Sequence, residues 1–226
     1  MKHTFAVALM AGLVLGSGGA RAGEAATAGV SLEGGSTGLG AHLSIPIESD
    51  IGARLGFGYF KFNYSGNTSD TDYDFKMKLQ SFDALLDWFP MEGSFRLSAG
   101  LAANGNNIGA SAKSNANGSY TFDGHSYQAA SAGRITGSID FQKMVPYLGF
   151  GWGSSSNGKG WGLSSDFGLL FQGKPRTSLS SSGCSAPALV CAQLNADLVT
   201  ESDKLADEVK GFKYYPVVRA GLSYTF

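Results

Sequence analysis

The sequence predicts an all-β fold: an eight-stranded antiparallel transmembrane β-barrel with a short helix in its last long loop. Apolar and polar residues alternate along most of the chain, which is typical of strands with one apolar and one polar face. The chain contains 33 glycines and 12% aromatic residues, a composition that favours a barrel over a packed α/β domain. Its N-terminus also has the pattern of an export signal.

Three features define that export signal. Lys2 and His3 form a short basic or titratable head, residues 5–15 form an apolar run, and residues 20–22 (Ala-Arg-Ala) match a small-x-small cleavage site. The run is short for a spanning helix, so a retained anchor is disfavoured. We assign residues 1–22 to a signal peptide and residues 23–226 to one outer-membrane β-barrel domain. The net charge of −1 gives no reason to expect a nucleic-acid partner.

The C-terminal stretch has the clearest strand pattern. From Tyr214 to Phe226, every second residue is apolar or aromatic, and the chain stops on an aromatic residue. An aromatic residue at a strand end is favoured at a lipid–water boundary. This ending resembles the C-terminal assembly signal of bacterial outer-membrane proteins, which implies recognition of the strand by the outer-membrane assembly machinery.

The first two strands are predicted at residues 28–33 and 39–45. The apolar positions change from even to odd numbers between them, so we place a turn at residues 34–38. A single long strand with a bulge would also explain the change of phase.

Strands three to five are predicted at residues 51–59, 73–88 and 95–104. In the fourth strand the apolar set changes from odd positions, ending at Leu79, to even positions from Phe82 onward. This change predicts a bulge near Gln80 and Ser81.

The second half of the chain begins with a polar loop, residues 111–133, which contains a small hairpin around Asp123-Gly124. Strand six is predicted at residues 134–152, with a slip in residues 143–146. Strand seven follows at residues 161–172.

The long segment 173–212 precedes the last strand. Apolar residues at roughly helical spacing predict a short amphipathic helix over residues 194–210. Pro146 and Pro216 fall inside predicted strands, where the missing N–H costs a ladder bond, so bulges are predicted at both.

Loop lengths predict the orientation. The tight turns at 46–50, 90–93 and 154–160 are assigned to the periplasmic side, because barrels of this kind have short periplasmic turns and longer outer loops. The aromatic residues beside these turns predict a lower girdle: Trp88, Trp152, Trp161 and Phe226. The predicted upper girdle contains Tyr59, Phe60, Phe62, Tyr64, Phe171 and Tyr214.

A soluble β-sandwich or lipocalin-like barrel, with the aromatic residues in its core, is the alternative fold. It is disfavoured because charged residues share the face opposite the apolar one on most strands. The charged residues assigned to the barrel interior are Arg54, Arg96, Arg134, Arg219, Asp83, Asp87, Asp140 and Asp166. An eight-stranded barrel is barely wide enough for its own side chains, so these charges should pair across the lumen. They would either plug the barrel or form a polar track for a small charged solute.

Other chemistry is weakly represented. Cys184 and Cys191 predict a small surface disulfide in an exported chain. No phosphate-binding loop or metal-ligand spacing is present, so no cofactor or metal is expected. His42 and Ser44 share one strand face, as a lipid-deacylating outer-membrane enzyme would need, but serine is so common here that coincidence is favoured and no enzyme is predicted. Acidic residues near 70–74 and in the predicted helix would concentrate cations at the mouth, or merely form a solvated face.

The mature chain resembles the carbapenem-associated outer-membrane porin family of the CarO type. The similar stretches are residues 34–40, 55–59, 146–151 and 173–175, the last strand with Pro216, and the short Asp-Gly hairpin in an outer loop. The resemblance spans most of residues 23–226, although each motif is short. It implies a small monomeric outer-membrane barrel linked to uptake of basic amino acids such as ornithine. The resemblance does not extend to the cysteine pair.

These observations predict a narrow porin of the bacterial outer membrane for small solutes, including cationic ones, with outer-membrane lipid and lipopolysaccharide as its surroundings. The alternative is a closed barrel of the OmpA type with an envelope-structural or surface-interaction role.

Overall fold

A computed structural model describes residues 27–67, 72–91, 93–113, 118–153 and 159–226. The predicted signal peptide, residues 1–22, lies outside the described residues. Among those that are described, no helix is both long and apolar enough to cross a membrane.

Thirteen strands and two helices occur in the described part of the chain. In order they are β1 (Gly29–Gly35), β2 (Gly38–Pro46), β3 (Ile51–Asn67), β4 (Asp72–Trp88), β5 (Phe95–Asn104), β6 (Asn107–Lys113), β7 (Ser119–Phe122), β8 (His125–Gln128), α1 (Ala129–Ala132), β9 (Arg134–Asp140), β10 (Met144–Trp152), β11 (Gly160–Phe171), β12 (Arg176–Ser182), α2 (Ala188–Val209) and β13 (Tyr214–Thr225).

Eight of these strands close into a ring by antiparallel pairing. The order around the ring is β1, β2, β3, β4, β5, β10, β11 and β13, and β13 pairs back onto β1 from Gly29↔Thr225 to Gly35↔Arg219. The chain alternates in direction around the ring, so the described chain ends and the turns after β2, β4 and β10 lie at one end, which we call the turn end.

The remaining elements form a cap at the other end of the ring. The upper part of β4 leaves β5 and pairs with β6, β9 pairs with β6, and β12 pairs with β9. The β7–β8 hairpin and helix α2 cover one face of this sheet. We define the cap as β6–β9, β12, both helices and the parts of β3 and β4 beyond the ring.

The cap has a hydrophobic core of its own. Its buried members are Tyr120, Phe122, Tyr127, Ala132, Ile135, Leu194 and Leu198. The hairpin that supplies the first three turns at Asp123 and Gly124, whose φ values are 46° and 82°. Both central residues of such a turn need positive φ, which is why an Asp-Gly pair predicts it.

The chain between β1 and β2 adopts the predicted hairpin and not the bulged single strand. Gly35 pairs with Gly38, so the turn consists of Ser36 and Thr37. Ser36 ties this turn to the last strand, because its N–H donates to the carbonyl of Val218 at 2.9 Å and its Oγ donates to that of Pro216 at 2.9 Å.

The prediction of one strand over residues 134–152 is wrong. The chain breaks between Asp140 and Met144, and only β10 enters the ring, while β9 joins the cap. Arg134 and Asp140 therefore lie outside the ring interior, where the alternation had placed them. The apparent slip at 143–146 is this break, because β9 and β10 belong to different parts of the sheet.

The predicted bulge at Gln80 and Ser81 is also absent. β4 pairs with β3 in one unbroken register from Trp88↔Ile51 to Asp72↔Asn67. The apolar phase changes because one face of β4 has different surroundings along its length. Between Ser81 and the turn end this face meets the charged ring interior, whereas toward the cap its residue Phe75 lines the apolar interior of the cap.

The two strand prolines need no bulge either. Pro146 pairs with Leu101 and Pro216 with Leu169 in continuous registers. Each lies where the second neighbouring strand is no longer paired, since β10–β11 pairing starts at Tyr147 and β1–β13 pairing stops at Arg219. A missing N–H costs least at such an edge position.

Part of the predicted upper girdle is on the wrong face. Phe60, Phe62 and Tyr64 share the parity of the inward-facing Arg54, and their rings follow one another at 6.4 Å along the inner side of β3. Tyr59 has the opposite parity and lies on the outer side. The four aromatic residues at positions 59, 60, 62 and 64 therefore divide between the two faces of β3.

Candidate functional site: the charged interior of the ring

The interior of the ring is built from the polar face of each strand. Residues alternate between the two faces, so Arg54 of β3, Asp83 and Asp87 of β4 and Asp166 of β11 point inward while their apolar neighbours point outward. The charged and titratable side chains there are each 5% or less exposed as residues: Glu33, His42, Arg54, Asp83, Asp87, Arg96, Asp166 and Arg219.

One cluster is centred on Arg54. Its Nη1 donates to Asp166 Oδ2 at 2.6 Å, and its Nη2 donates to Asp166 Oδ1 at 3.0 Å and to Asp87 Oδ1 at 3.2 Å. Arg96 Nη2 donates to the same Asp166 Oδ1 at 2.9 Å. Ser98 Oγ donates to Asp87 Oδ1 at 2.5 Å. Two arginines and two carboxylates thus balance in charge, as buried ions require.

A second cluster lies around His42. Its Nδ1 is 3.1 Å from Glu33 Oε2, and its Nε2 is 3.2 Å from Asp83 Oδ1 and 2.8 Å from Arg219 Nη1. Arg219 also donates from Nη2 to Asp83 Oδ2 at 2.9 Å and from Nε to Thr37 Oγ1 at 3.0 Å. Both ring nitrogens of His42 are therefore occupied by charged partners.

Small residues make room for these clusters. A Cβ on Gly56 would lie 2.1 Å from His42 Cδ2 and 2.5 Å from Asp83 Oδ1. A Cβ on Gly153 would lie 2.1 Å from Arg96 Nη1. Glycines on the inner face thus leave space for large charged side chains from neighbouring strands.

An apolar cluster adjoins the charges inside the ring. It contains Leu85, Ala102, Val145, Tyr147, Leu170 and Val217, all buried. On β11 and β13 it lies on the cap side of the charged residues, since Leu170 follows Asp166 upward and Val217 precedes Arg219. The Tyr147 hydroxyl fills the space beside Gly149 and Gly168.

A small cavity, which we call the mouth cavity, opens at the turn end. Its volume is about 30 Å³, and its lining includes Ser44, Asp87, Arg96 and Thr225. This is room for about one water molecule. Of the charged interior side chains, Asp87 and Arg96 line this cavity.

Six of the eight interior charges predicted from the sequence come together in these clusters, and Arg134 and Asp140 do not. Glu33 was missed, although its parity with Ser31 puts it on the polar face of β1. For His42, the sequence pattern indicates only a shared strand face with Ser44. Because carboxylates and Arg219 surround both nitrogens of His42, the ring is not arranged to activate Ser44.

The predicted girdle and disulfide residues have simple positions. Trp88, Trp152, Trp161 and Phe226 are exposed on the outer side near the turn end. Tyr224 connects two of them, 5.2 Å from Trp161 and 5.4 Å from Phe226 between ring centroids. Cys184 and Cys191 form a disulfide that links the chain before α2 to its first turn.

The cap also contains a cluster of polar groups, separate from the two clusters inside the ring. Asp197 of α2 accepts a short hydrogen bond from the Tyr127 hydroxyl, contacts His125 Nδ1 at 2.9 Å, and accepts from Gln193 Nε2 at 2.8 Å. The Tyr127 hydrogen bond lowers the pKa of Asp197, while burial and the same carboxylate raise the pKa of Tyr127 to about 12. This cluster joins the hairpin to the helix.

A cavity of about 330 Å³ lies beside the hydrophobic core of the cap, between the sheet of the cap and α2. Its lining is largely apolar, with Phe75, Ile108 and Ile135 among it, and Glu201, Lys204 and Glu208 at its edge. Lys204 donates to Asp123 at 2.5 Å, which raises the pKa of Lys204. Nowhere in the described residues do three His, Cys, Asp or Glu side chains come together as a metal site.

Comparison with known proteins identifies the fold. No family model and no curated protein matches the chain. Among solved structures, CarO of Acinetobacter baumannii is 21% identical with a TM-score of 0.54, and the match covers 88% of this chain and 97% of that one. CarO2 of the same organism is 22% identical with a TM-score of 0.55, covering 88% and 98%. The predicted resemblance is thus confirmed at the level of the fold: this chain has the all-β fold of the Acinetobacter baumannii CarO proteins.

Proposed function

We propose that this protein is a β-barrel of the bacterial outer membrane, closed across the membrane and carrying a folded cap on the cell surface. The distribution of side chains supports a membrane location. The outer side of the ring exposes large apolar residues on every strand, among them Leu32, Leu39, Phe57, Leu86, Leu101, Phe150, Leu163 and Leu222. A soluble monomer rarely exposes an apolar surface of this extent.

The height of this surface fits a bilayer. On β11 the exposed apolar residues run from Trp161 to Leu169, about 26 Å along the strand. At a strand tilt of about 40°, this is roughly 20 Å along the ring axis, close to the apolar band of about 25 Å in outer-membrane barrels. All three turns at the turn end are short, and the two longest connections, from β5 to β10 and from β11 to β13, lie at the other end. This arrangement supports a periplasmic turn end and a cap at the cell surface.

The burial of the interior charges carries the proposal of a closed barrel. The ion pair Arg54–Asp166 joins β3 to β11, and Arg219–Asp83 joins β13 to β4. In each case the two strands stand four places apart around a ring of eight, so both pairs cross its full width. Side chains that meet across the whole diameter and are almost fully buried leave no continuous path for a solute.

Protease accessibility tests the location and orientation. Added to intact cells, trypsin should cut after Lys204 or Lys210 in the cap and leave Lys159 at the turn end uncut; after the envelope is broken, Lys159 should become accessible. Cleavage at Lys159 in intact cells would reverse the orientation. Recovery of the chain as a detergent-free soluble monomer would end the membrane assignment.

Conductance tests closure. The purified protein in a planar bilayer should give no steady channel steps. Arg96→Gln at the mouth cavity and Leu148→Ala on the outer side should remain equally silent. A wild-type conductance that changes in Arg96→Gln but not in Leu148→Ala would contradict closure and favour transport through the ring.

A narrow porin for small, cationic solutes remains the second candidate. Several buried hydroxyl groups of the described ring have no hydrogen-bond partner: those of Ser81, Tyr147 and Ser223. A passing solute could bond to such atoms, and Asp87 and Arg96 line the mouth cavity through which it would enter once that cavity widens. Liposome swelling separates the two: faster swelling with lysine or ornithine than with glutamate supports the porin, and no swelling with any of them supports the closed barrel.

Assembly would use the last strand. β13 pairs with both β11 and β1, and the Phe226 N–H donates to the carbonyl of Ala28 at 3.1 Å. Because this strand closes the ring, we propose it as the segment that the outer-membrane assembly machinery recognises. A variant with Phe226 replaced by Ala should accumulate in the periplasm, whereas Phe212→Ala, between α2 and β13, should assemble normally.

A further inference from the structure

A row of polar residues crosses five strands on the outer side of the sheet. The strand registers pair Lys61 of β3 with Lys78 of β4, Lys78 with Asn107 of β6, Asn107 with Asp140 of β9, and Asp140 with Arg176 of β12. At about 4.8 Å per strand, this row spans roughly 19 Å. We call these five residues the basic row.

The basic row is poorly explained by folding alone. Lys61 and Lys78 lie directly opposite each other, and like charges in that position destabilise a strand pair. Neither lysine forms an ion pair with any residue that the structure describes, and the same holds for Arg176. Asp140, the single carboxylate of the row, instead accepts from Asn107 Nδ2 at 2.7 Å and from Ser138 Oγ at 2.9 Å. Three cations are therefore available to an anion from outside.

The position of the row is equally specific. On β3 and β4, the outward pair Phe57–Phe82 belongs to the apolar surface of the ring, Tyr59–Gln80 follows it, and Lys61–Lys78 comes next. Two residues along a strand are about 7 Å. The lysines thus lie about 7 Å beyond the last outward aromatic residue, at the height where lipid headgroups begin if the ring spans a membrane.

A cleft beside the row collects further hydrogen-bond donors. It has a volume of about 900 Å³ and separates the top of the ring from the sheet of the cap. Its lining includes the cations Lys78, Lys143 and Arg176 and the side-chain amides of Asn104, Asn106, Asn107 and Gln142. Lysine, arginine and amide N–H groups around one cleft suit phosphate oxygens, which accept several charge-assisted hydrogen bonds at once.

We propose that the basic row and its cleft bind the phosphate groups of the phosphorylated glycolipid, lipopolysaccharide, in the outer leaflet of the outer membrane. The inference rests on the proposed function, because only a membrane-spanning ring brings the row to headgroup height. The bound phosphate neutralises the Lys61–Lys78 repulsion, and the cleft admits the headgroup between ring and cap. The lipid would thereby fix the cap relative to the membrane surface.

Native mass spectrometry of the detergent-solubilised protein tests the site with three lipids: bisphosphorylated lipid A, the same lipid A without phosphate, and phosphatidylglycerol. Bisphosphorylated lipid A should bind at least about tenfold more tightly than the other two. The double variant Lys61→Gln/Lys78→Gln should lose about tenfold in affinity for it. The control double variant Lys159→Gln/Lys210→Gln, which removes the same charge elsewhere, should bind as wild type.

A thermal measurement distinguishes lipid binding from a purely structural role. Without lipid A, Lys78→Gln should raise the unfolding temperature in detergent by about 1–3 °C, because it removes a like-charge contact. Added lipid A should stabilise the wild type clearly more than the variant. Equal binding of all three lipids, or wild-type affinity in the double variant, would overturn the proposal. These outcomes are separate from failure of the proposed function, which would appear as loss of detergent dependence and of membrane recovery.

Discussion

Arg54 and Asp166 form a bidentate ion pair across the full width of the ring, although 112 residues separate them in sequence. The guanidinium and the carboxylate each contribute two atoms, at 2.6 and 3.0 Å. Neither side chain contacts water to any extent, since their residues are 1% and 0% exposed. Two buried charges in this geometry depend on each other, because removal of either leaves the other without compensation.

We therefore expect Asp166→Asn to lower the free energy of unfolding by about 3–5 kcal/mol. The carboxylate serves Arg96 as well as Arg54, so two buried guanidinium groups lose a partner. Urea unfolding of the protein in detergent micelles measures the loss. Asp207→Asn, which changes the same charge at an exposed position of α2, should leave the midpoint unchanged; similar midpoints for both variants would contradict the role of Asp166.

The double variant Arg54→Met/Asp166→Leu separates pairing from packing. It removes both members and leaves Arg96 and Asp87, 3.8 Å apart, as a balanced pair. Its loss of stability should be smaller than the sum of the two single losses, because neither remaining charge is left alone. Strict additivity of the single effects would mean that the two side chains act independently.

A substitution at Gly56 tests how tightly the side chains of the His42 cluster are packed. Gly56→Ala should destabilise the ring, because the new Cβ would lie 2.1 Å from His42 Cδ2 and 2.5 Å from Asp83 Oδ1. Gly52→Ala is the matched control on the same face of β3, where the nearest atom to a new Cβ is 3.5 Å away. Heat-modified gel mobility should show unfolding of Gly56→Ala at a lower temperature than both wild type and Gly52→Ala.

Local alternation predicted the ring well, because most ring strands carry apolar side chains on the outer side and polar or charged side chains on the inner side. Arg54, Asp83 and Asp166 could be assigned inward from parity alone. Their partners could not be assigned, since which strands stand opposite in a ring depends on its closure and tilt. The crossing pairs Arg54–Asp166 and Arg219–Asp83 are therefore properties of the whole ring.

Parity failed where the chain leaves the ring. Residues 134–140 alternate as a ring strand does, yet β9 alternates between a polar outer face and the apolar interior of the cap. The same change of surroundings on β4 looks like a bulge in the sequence. A period of two identifies a strand and its faces, but it does not say which sheet neighbour or which interior each face meets.

The disulfide predicts a local effect in the cap. Cys184 and Cys191 close a short loop, with a sequence separation of seven, at the start of α2. Loop-closure entropy for so short a loop is worth about 2 kcal/mol. The double variant Cys184→Ser/Cys191→Ser should increase hydrogen exchange in the first turns of α2 and leave β10 and β11 of the ring unchanged. Equal loosening of cap and ring would show that the two unfold as one unit.

Asp197 and Tyr127 predict how the cap responds to pH. Because the pKa of Asp197 is lowered in the folded cap, its contribution is present above its ordinary pKa and is lost as the pH falls below about 4. The pKa of Tyr127 is raised to about 12, so its hydrogen bond is retained in the neutral hydroxyl form up to strongly alkaline pH.

Acid should thus loosen α2 and the β7–β8 hairpin before it affects the ring. Hydrogen exchange at pH 7 and pH 3, corrected for intrinsic rates, measures this difference. Asp197→Asn should loosen the helix already at pH 7 and remove most of its acid sensitivity, because the amide cannot titrate. Tyr127→Phe keeps the aromatic side chain in the cap core but removes the hydroxyl that donates to Asp197. Hydrogen exchange of α2 in this variant should lie between those of the wild type and Asp197→Asn. Unchanged exchange of α2 in Asp197→Asn at both pH values would mean that the apolar core, and not this carboxylate, holds the helix on the hairpin.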